Sequence, residues 1–429
     1  MGEWAGVAAE ARRVLAGNRR TGVSGWDGRR YDFVCPSPTH YPFQWLWDSA
    51  FHAIALLHVD PELSKRELRC LLQGLQPDGF MPHMILWEKD AHPKALAEYL
   101  IRMAHPYFTA TTQPPVLARA VERVYEATGD LAFVREALPQ ALRLFRWLRE
   151  HRDPDGDGLI AIIQPDESGL DASPKFDRLM RIVARPHSET APSLVRGMRR
   201  LFEAYGDGRN HRALCALDAF VWEDVMVNAI YADGLGCLAR LARAAGRPAP
   251  EADALDAEAG RVLASLLAKC WDERAGAFWD LAGASEERER VLTFSSLFPL
   301  ILPGLEPGVA RRLIDDHLLN PREFWLDFPI PSVAATEPAF EADYRSRAIW
   351  RGPSWLNVNW YLYHGLRAHG RPEAASTLAR RTFEMVRRGG IREFFNPRTA
   401  EGYGAVDFGW TCLVLDLLAA EGELVPDTP

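Results

Sequence analysis

Apolar residues recur at intervals of three and four along most of this 429-residue chain, which is the pattern of helices that bury one face. Many of these segments begin near Asp or Pro and end near Gly, as at 129–130 and 370–372. Strand-like alternation is sparse and short. The pattern predicts helices over residues 4–15, 46–57, 61–75, 112–128, 131–149, 187–205, 220–245, 251–271, 291–302, 308–319, 354–369, 372–388 and 408–420.

Short turns and long loops alternate between these helices, which favours an all-α fold. We expect an (α/α)6 barrel, a toroid of helical hairpins whose long loops collect on one face and form a pocket. A solenoid is the alternative, but the chain shows no internal repeat. Because no Pro/Ser/Gly-rich linker divides it, the sequence predicts a single catalytic domain over residues 1–429, with excursions near 76–110, 151–186, 205–218 and 320–353.

Charge and composition exclude several classes of protein. The net charge of −8 without a basic tract argues against nucleic acid as a partner. With neither a signal-like amino terminus nor a long apolar window, we expect a cytoplasmic protein that does not contact membranes. The six cysteines are scattered without a C-x-x-C pair, which indicates reduced thiols rather than zinc ligands or disulfides. Nucleotide, zincin and serine-hydrolase motifs are absent, so no cofactor is predicted, and the sequence does not indicate an oligomeric state.

One acidic loop resembles a calcium site. Residues 153–158 place carboxylates at the first, third and fifth positions and Gly at the sixth, but Gln164 stands where a calcium loop has its bidentate Glu. A turn that ends a helix explains the same residues. We therefore predict no metal, and the sequence leaves calcium binding at this loop untested.

Two other loops carry carboxylates suited to catalysis. The loop 164–174 holds Asp166, Glu167 and Asp171, and the segment 392–399 places Glu393 among aromatic residues. Hydrolysis of a glycoside uses two carboxyl groups on opposite sides of the bond that is cleaved. The alternatives are a solvated acidic loop in the first case and a Glu paired with a nearby Arg in the second.

Aromatic residues mark a possible sugar site. Tyr41, Trp45, Trp47 and Asp48 stand at the start of a predicted helix, and residues 350–355 repeat the theme with an Arg between indoles. Indole rings stack on the apolar face of sugars, and a carboxylate accepts hydrogen bonds from hydroxyl groups. The alternative is that these indoles belong to the core. Three histidines could exchange protons, but we interpret them as structural: His83, His105 and His187.

In this order, the motifs resemble glycoside hydrolase family 63, which includes processing α-glucosidase I and the mannosylglycerate and glucosylglycerate hydrolases. The resemblance covers nearly the whole chain. It is carried by residues 44–48, 73–83, 112–115, 167–174, 350–355, 393–399 and 408–411.

The resemblance implies an (α/α)6 barrel and an inverting mechanism. It assigns the general acid to Asp171, in the E-S-G-x-D stretch, and the general base to Glu393. It also implies a sugar subsite formed by Tyr41, Trp45, Trp47, Asp48, Gln113 and Trp355.

The same resemblance leads us to expect hydrolysis of a small, anionic α-linked sugar-glycerate, 2-O-α-D-mannosyl-D-glycerate. Ile349 stands where glucosylglycerate-type members carry Tyr, so glucosylglycerate is the alternative substrate, followed by other α-glucosides and trehalose. Outside this class, a sugar epimerase or isomerase and a non-catalytic sugar-binding protein are the competing hypotheses. We expect the glycerate carboxylate to be bound by Arg351 or others of a basic set, Arg209, His211, Arg212, Arg345 and Arg347.

Overall fold

The structure is a computed structural model that describes residues 2–91, 93, 95, 99–208 and 210–424. The described chain is mainly helical. Its α-helices span Ala5–Gly17, Leu46–Leu56, Pro61–Leu72, Leu117–Thr128, Leu131–Arg152, Asp177–Met180, His187–Tyr205, His211–Ala216, Val225–Ala244, Ala249–Ser265, Pro307–Arg312, Leu356–Ala368, Pro372–Gly389 and Val414–Ala420. Tighter 3-10 turns span Pro165–Ser168, Pro174–Phe176, Phe294–Ile301 and Gly409–Leu413, and wider π turns span Leu266–Cys270 and Leu313–Leu318.

Every predicted helical segment contains helix, and most differ from the prediction only at their ends. The segment 291–302 forms a 3-10 helix rather than an α-helix, with Pro299 inside it. Proline lacks the N–H that an α-helix needs at that position, and apolar spacing alone does not reveal the change.

The chain also forms short strands, so the prediction of an all-α fold is correct for the predominance of helices but not for the absence of strands. They span Arg19–Val23, Arg30–Val34, Gln44–Trp45, Met84–Ile85, Met103–His105, Phe108–Thr109, Trp222–Glu223, Trp271–Asp272, Ala277–Phe278, Asp280–Ala282, Glu287–Glu289, Arg392–Phe395 and Gly402–Val406. Most are antiparallel pairs of two to five residues, too short to show an alternating pattern in the sequence.

The helices pack in two layers. Each inner segment contacts the next and the last contacts the first, so that they form a closed ring in the order Leu46–Leu56, Leu117–Thr128, Val225–Ala244, Phe294–Ile301, Leu356–Ala368 and Gly409–Leu413. An outer segment packs against each of them, in the order Pro61–Leu72, Leu131–Arg152, Ala249–Ser265, Leu313–Leu318, Pro372–Gly389 and Ala5–Gly17. Inner segments are apolar on nearly all sides because they face both the outer layer and the centre.

Val225–Ala244 illustrates this inner position. By length and composition it could span a membrane, yet 89% of its apolar window is buried within the protein. The six cysteines are all buried free thiols, as predicted.

A buried aspartate joins several segments of the ring. Asp416 accepts hydrogen bonds from Trp360 Nε1 at 2.7 Å, Arg123 at 2.7 Å and His58 Nε2 at 2.8 Å. Two of these partners come from the inner helices Leu356–Ala368 and Leu117–Thr128, and His58 lies in the turn that follows Leu46–Leu56. The Arg123 guanidinium and two histidines hold the pKa of Asp416 well below its usual value, against the opposing effect of burial.

Removing this carboxylate should destabilise the fold strongly. Asp416→Ala leaves Arg123 without its buried partner, and we expect the free energy of unfolding to fall by about 3 to 5 kcal/mol. Asp253→Ala is the matched control, because Asp253 pairs with Arg243 on the surface, where such pairs contribute less than about 1 kcal/mol. Urea unfolding of both variants measures the difference; equal losses would contradict the assigned role of Asp416.

Candidate active site

A pocket of about 360 Å³ lies where several inner segments begin. Its walls come from the starts of Leu46–Leu56, Leu356–Ala368 and Gly409–Leu413, and from loops that precede other helices. Nearly all of the sequence-predicted site residues line it together: Tyr41, Trp45, Trp47, Asp48, Gln113, Asp171, Trp355 and Glu393. The exception is Arg351.

The acidic loop 164–174 is held by an ion pair beneath it. Arg152 and Glu167 are both buried, with Arg152 NH1 2.6 Å from Glu167 Oε2. Glu167 also accepts the backbone N–H groups of Thr112 and Ile163 at 3.1 and 2.9 Å. Glu167 is therefore a structural anchor, which leaves Asp166 and Asp171 as the loop's pocket-facing carboxyls.

Two further contacts fix the position of Asp171. Gly169 adopts φ of +73°, and a Cβ there would collide with the Trp47 indole, so this position requires glycine. On the other side, Arg351 donates to the carbonyl oxygen of Ala172 at 3.0 Å and forms a two-pronged ion pair with Asp177. The loop is therefore clamped on both sides of the carboxyl.

Glu393 projects from an irregular hairpin. Strand Arg392–Phe395 pairs with Gly402–Val406, but the register shifts between Arg392 and Phe394, and a bulge of this kind redirects a side chain. Gly404 adopts φ of +67°, and a Cβ at this position would collide with the Glu393 side chain. Glu393 Oε2 accepts the Ala405 N–H at 2.8 Å, and Oε1 accepts the Tyr41 hydroxyl at 3.3 Å.

The pocket carboxyls hold their protons to unusually high pH. Burial raises the pKa of Asp171 to about 6 and that of Glu393 to about 7, the latter with a contribution from the Asp171 charge. Burial also raises the pKa of Asp48 and of Asp166 well above the usual range, and the Asp171 charge adds to both shifts. Proton exchange near neutral pH is therefore available in the pocket.

Aromatic rings form the remaining walls. Trp355 stacks on Trp350 with ring centroids 3.5 Å apart, and Trp45 meets the edge of His83 at 4.9 Å. The Nε1 atoms of Trp45 and Trp355 are buried and find no acceptor within the part of the chain that the structure describes. Gln113 accepts the backbone N–H of Trp47 at 3.1 Å, so this amide orients the helix start.

The pocket also contains residues that the sequence did not assign to it. They include His83, Tyr99, Asp166, Leu194, Val195 and Met198. Burial lowers the pKa of His83 to about 3, so this ring is neutral, in agreement with the structural role predicted for it. Leu194, Val195 and Met198 form an apolar face of the helix His187–Tyr205, which was predicted correctly. In the sequence, an apolar face that lines a pocket has the same pattern as one that packs on the core.

The basic residues expected to bind an anion lie elsewhere. Arg351 is buried behind the pocket wall on Asp177, which corrects its predicted contact with substrate. Arg345 pairs with Asp343, and Arg347 lies over the Tyr344 ring. No described member of the set lines the pocket; Arg209 lies outside the described residues.

His105 and His187 also lie outside the pocket lining. His105 stacks on Phe108, with ring centroids 5.4 Å apart. His187 Nδ1 lies 2.7 Å from a carboxylate oxygen of Glu341. His187 thus has a polar partner of the kind predicted for it, whereas His105 is exposed and contacts aromatic rings.

At the calcium-like loop, Lys269 pairs with two of the carboxylates. Lys269 Nζ lies 2.6 Å from Asp157, 3.3 Å from Asp155 and in contact with Glu286. These carboxylates and Glu223 lie close enough to surround one ion, but the Lys269 ammonium supplies positive charge there.

The chain matches the family model of the mannosylglycerate hydrolase MGH1-like glycoside hydrolase domain over residues 41–411. It is 32% identical to the mannosylglycerate hydrolase of Thermus thermophilus, over 88% of this chain and 94% of that protein. It is 28% identical to the glucosylglycerate hydrolase of Mycolicibacterium hassiacum, over 89% and 93% of the two chains. The crystal structure of GH63 mannosylglycerate hydrolase from Thermus thermophilus in complex with Tris and D-glycerate matches with a TM-score of 0.81 and 29% identity, over 95% of this chain and 99% of that one.

Replacing Glu393 with Gln should stabilise the protein at alkaline pH. The pKa of Glu393 rises from 4.5 to about 7 on folding, so its favourable contribution is complete below pH 4.5 and is lost as the pH rises through 7. We expect Glu393→Gln to raise the free energy of unfolding by about 1 to 3 kcal/mol at pH 8, and by less at pH 5. Urea titrations at both pH values measure this, with Glu401→Gln on the same hairpin as control. Equal effects at the two pH values would contradict it.

Proposed function

The chain belongs to the mannosylglycerate hydrolase MGH1-like glycoside hydrolase family, and from that premise we propose that it cleaves 2-O-α-D-mannosyl-D-glycerate to mannose and D-glycerate. It is a glycoside hydrolase. The observation that carries the proposal is the meeting of Asp171 and Glu393 in one pocket walled by indoles. Two buried carboxyls and stacking surfaces are what hydrolysis of a small glycoside requires.

In the proposed reaction Asp171 donates a proton to the leaving oxygen, and Glu393 takes a proton from the attacking water. Attack from the face opposite the leaving group inverts the anomeric centre. The Tyr41 hydroxyl and the Ala405 N–H hold the Glu393 carboxylate, so its orientation is fixed before substrate arrives. The pKa of both carboxyls is raised, so their pKa values do not tell the acid from the base. The assignment of the two roles therefore follows the family motif.

Sugar binding is assigned to the indole walls, Asp48 and Gln113. The buried Nε1 atoms of Trp45 and Trp355 support this assignment, because a sugar hydroxyl supplies the acceptor that each N–H needs. Asp48 lies at the start of Leu46–Leu56, where its carboxyl faces the same cavity.

The proposal includes the (α/α)6 barrel as one catalytic domain over residues 1–429. Support comes from the closed ring of inner segments with an outer segment against each. A cytoplasmic location and independence of cofactors, metals, nucleic acid and membranes remain predictions from the sequence.

Glucosylglycerate is the second candidate substrate. The 28% identity to the Mycolicibacterium glucosylglycerate hydrolase favours it. Ile349 lines the pocket and is the residue that led us to prefer the mannosyl compound.

Proton NMR during hydrolysis tests the function and the mechanism together. Mannosylglycerate, glucosylglycerate and trehalose are each incubated with the native protein and with Asp171→Asn. We expect mannosylglycerate to be cleaved fastest, with β-mannose appearing before mutarotation, and the variant to lose at least about 100-fold in rate. Appearance of the α-anomer first would exclude inversion, and no hydrolysis of any glycoside would overturn the proposal.

Arg351 should affect catalysis through the loop that it clamps. Arg351→Lys keeps the charge but cannot hold Asp177 with two parallel bonds and the Ala172 carbonyl as well. We expect kcat to fall about tenfold or more while KM changes less than about threefold, because a small displacement of an acid is costly. A rise in KM with unchanged kcat would instead show that Arg351 contacts the substrate. Arg345→Lys, at an exposed pair, is the control.

A further inference from the structure

Asp166 lines the pocket from the same loop as the proposed acid. The 3-10 turn Pro165–Ser168 ends at Gly169, and Asp171 follows two residues later. Asp166 is 8% exposed and lines the cavity together with Asp171. Its Oδ2 accepts from Gln164 Nε2 at 2.6 Å, so a proton on this carboxyl belongs on Oδ1. The mechanism described above gives Asp166 no task.

The charges around Asp166 favour its neutral form. Asp171 and Glu167 both act on it, and the Glu167 charge is balanced by Arg152. Across the same cavity lie the carboxyls of Asp48 and Glu393, the uncharged hydroxyls of Tyr41 and Tyr99 and the neutral ring of His83. Two ionised carboxylates on one buried loop repel each other, and burial together with the Asp171 charge raises the pKa of Asp166 well above its usual value. An ionised Asp171 therefore favours the protonated form of Asp166.

The structure of the leaving group places its carboxylate close to Asp171 and Asp166. In a 2-O-glycosylglycerate the carbon that bears the leaving oxygen also bears the carboxylate. If Asp171 protonates that oxygen, the carboxylate lies one carbon away, beside the turn that carries Asp171. An O–H donor there can form a short, charge-assisted hydrogen bond with a carboxylate oxygen.

We propose that Asp166, as a neutral acid, donates a hydrogen bond from Oδ1 to the carboxylate of the glycerate group, and that it is the residue that selects an anionic leaving group. The inference rests on the proposed function. The O–H donor is lost when Asp166 ionises, so recognition of the anion weakens as the pH rises.

The test compares mannosylglycerate with the uncharged mannosylglycerol. In the native enzyme the ratio of their kcat/KM values should favour glycerate and decline as pH rises from 6 to 9. Asp166→Leu should lower this ratio about 100-fold, because it leaves the carboxylate without a donor, so turnover of mannosylglycerate should fall far more than turnover of mannosylglycerol. Asp166→Asn keeps an N–H donor, so it should retain part of the preference and lose its decline with pH. A ratio that declines equally in the Asn variant would assign the effect to Asp171 and overturn the inference.

Calorimetry with D-glycerate provides a readout that does not depend on turnover. Binding is measured between pH 6 and 9 in buffers of different ionisation enthalpy. A bound carboxylate raises the pKa of every carboxyl in the pocket, so the native protein should take up more protons on binding than Asp166→Asn does. Circular dichroism checks that both variants are folded. An unaltered substrate ratio in Asp166→Leu, or equal proton uptake by the native protein and Asp166→Asn, would overturn the role of Asp166 while leaving the hydrolysis intact. If the native protein hydrolysed neither glycoside, the proposed function would fail, and the proton uptake on glycerate binding would still decide the role of Asp166.

Discussion

Closure of the inner ring is the constraint on which the pocket depends. Tyr41 to Asp48 come from near the amino terminus and Glu393 from near the carboxyl terminus, so they share a cavity only when the first and last inner segments meet. Gly409–Leu413 packs against both Leu46–Leu56 and Leu356–Ala368 to complete this closure. The Asp416 carboxylate, in the helix that directly follows, joins two of the ring helices and the turn after a third by hydrogen bonds. Close packing and the hydrogen-bond network of Asp416 therefore both stabilise the point where the ring closes.

The pocket gathers carboxyls that folding by itself would disfavour. Taking a carboxylate out of water costs several kcal/mol unless a partner compensates for it. The structure separates two cases. Glu167, Asp177 and Asp224 are compensated by Arg152, Arg351 and Lys175 and hold the scaffold. Asp48, Asp166, Asp171 and Glu393 line the cavity, where burial raises the pKa of each carboxyl, and a raised pKa is the property that acid–base chemistry uses.

This separation explains why some residues near the site act without touching a ligand. Trp47 lines the cavity and also presses on Gly169, and Arg351 holds Ala172 from behind. The position of Asp171 is thus set by an indole on one side and a guanidinium on the other. Precise placement of an acid by rigid neighbours is what makes proton transfer efficient.

The sequence by itself determined the helical segments, the free thiols and, through short motifs that resemble a known family, most of the residues predicted for the pocket, because helical spacing and short motifs are local properties. Tyr41, Trp45 and Glu393 were assigned from such local patterns, and the structure brings them together. Only the tertiary structure decided the role of Arg351, since an arginine between indoles has the same local pattern whether it faces a ligand or the Asp177 carboxylate behind the wall. The tertiary structure likewise gave different roles to Glu167 and Asp166, which are neighbours in one turn. Glu167 is buried against Arg152 and Asp166 lines the cavity, and both environments depend on elements far away in the chain. Charge compensation and burial arise between distant segments, so no local pattern encodes them.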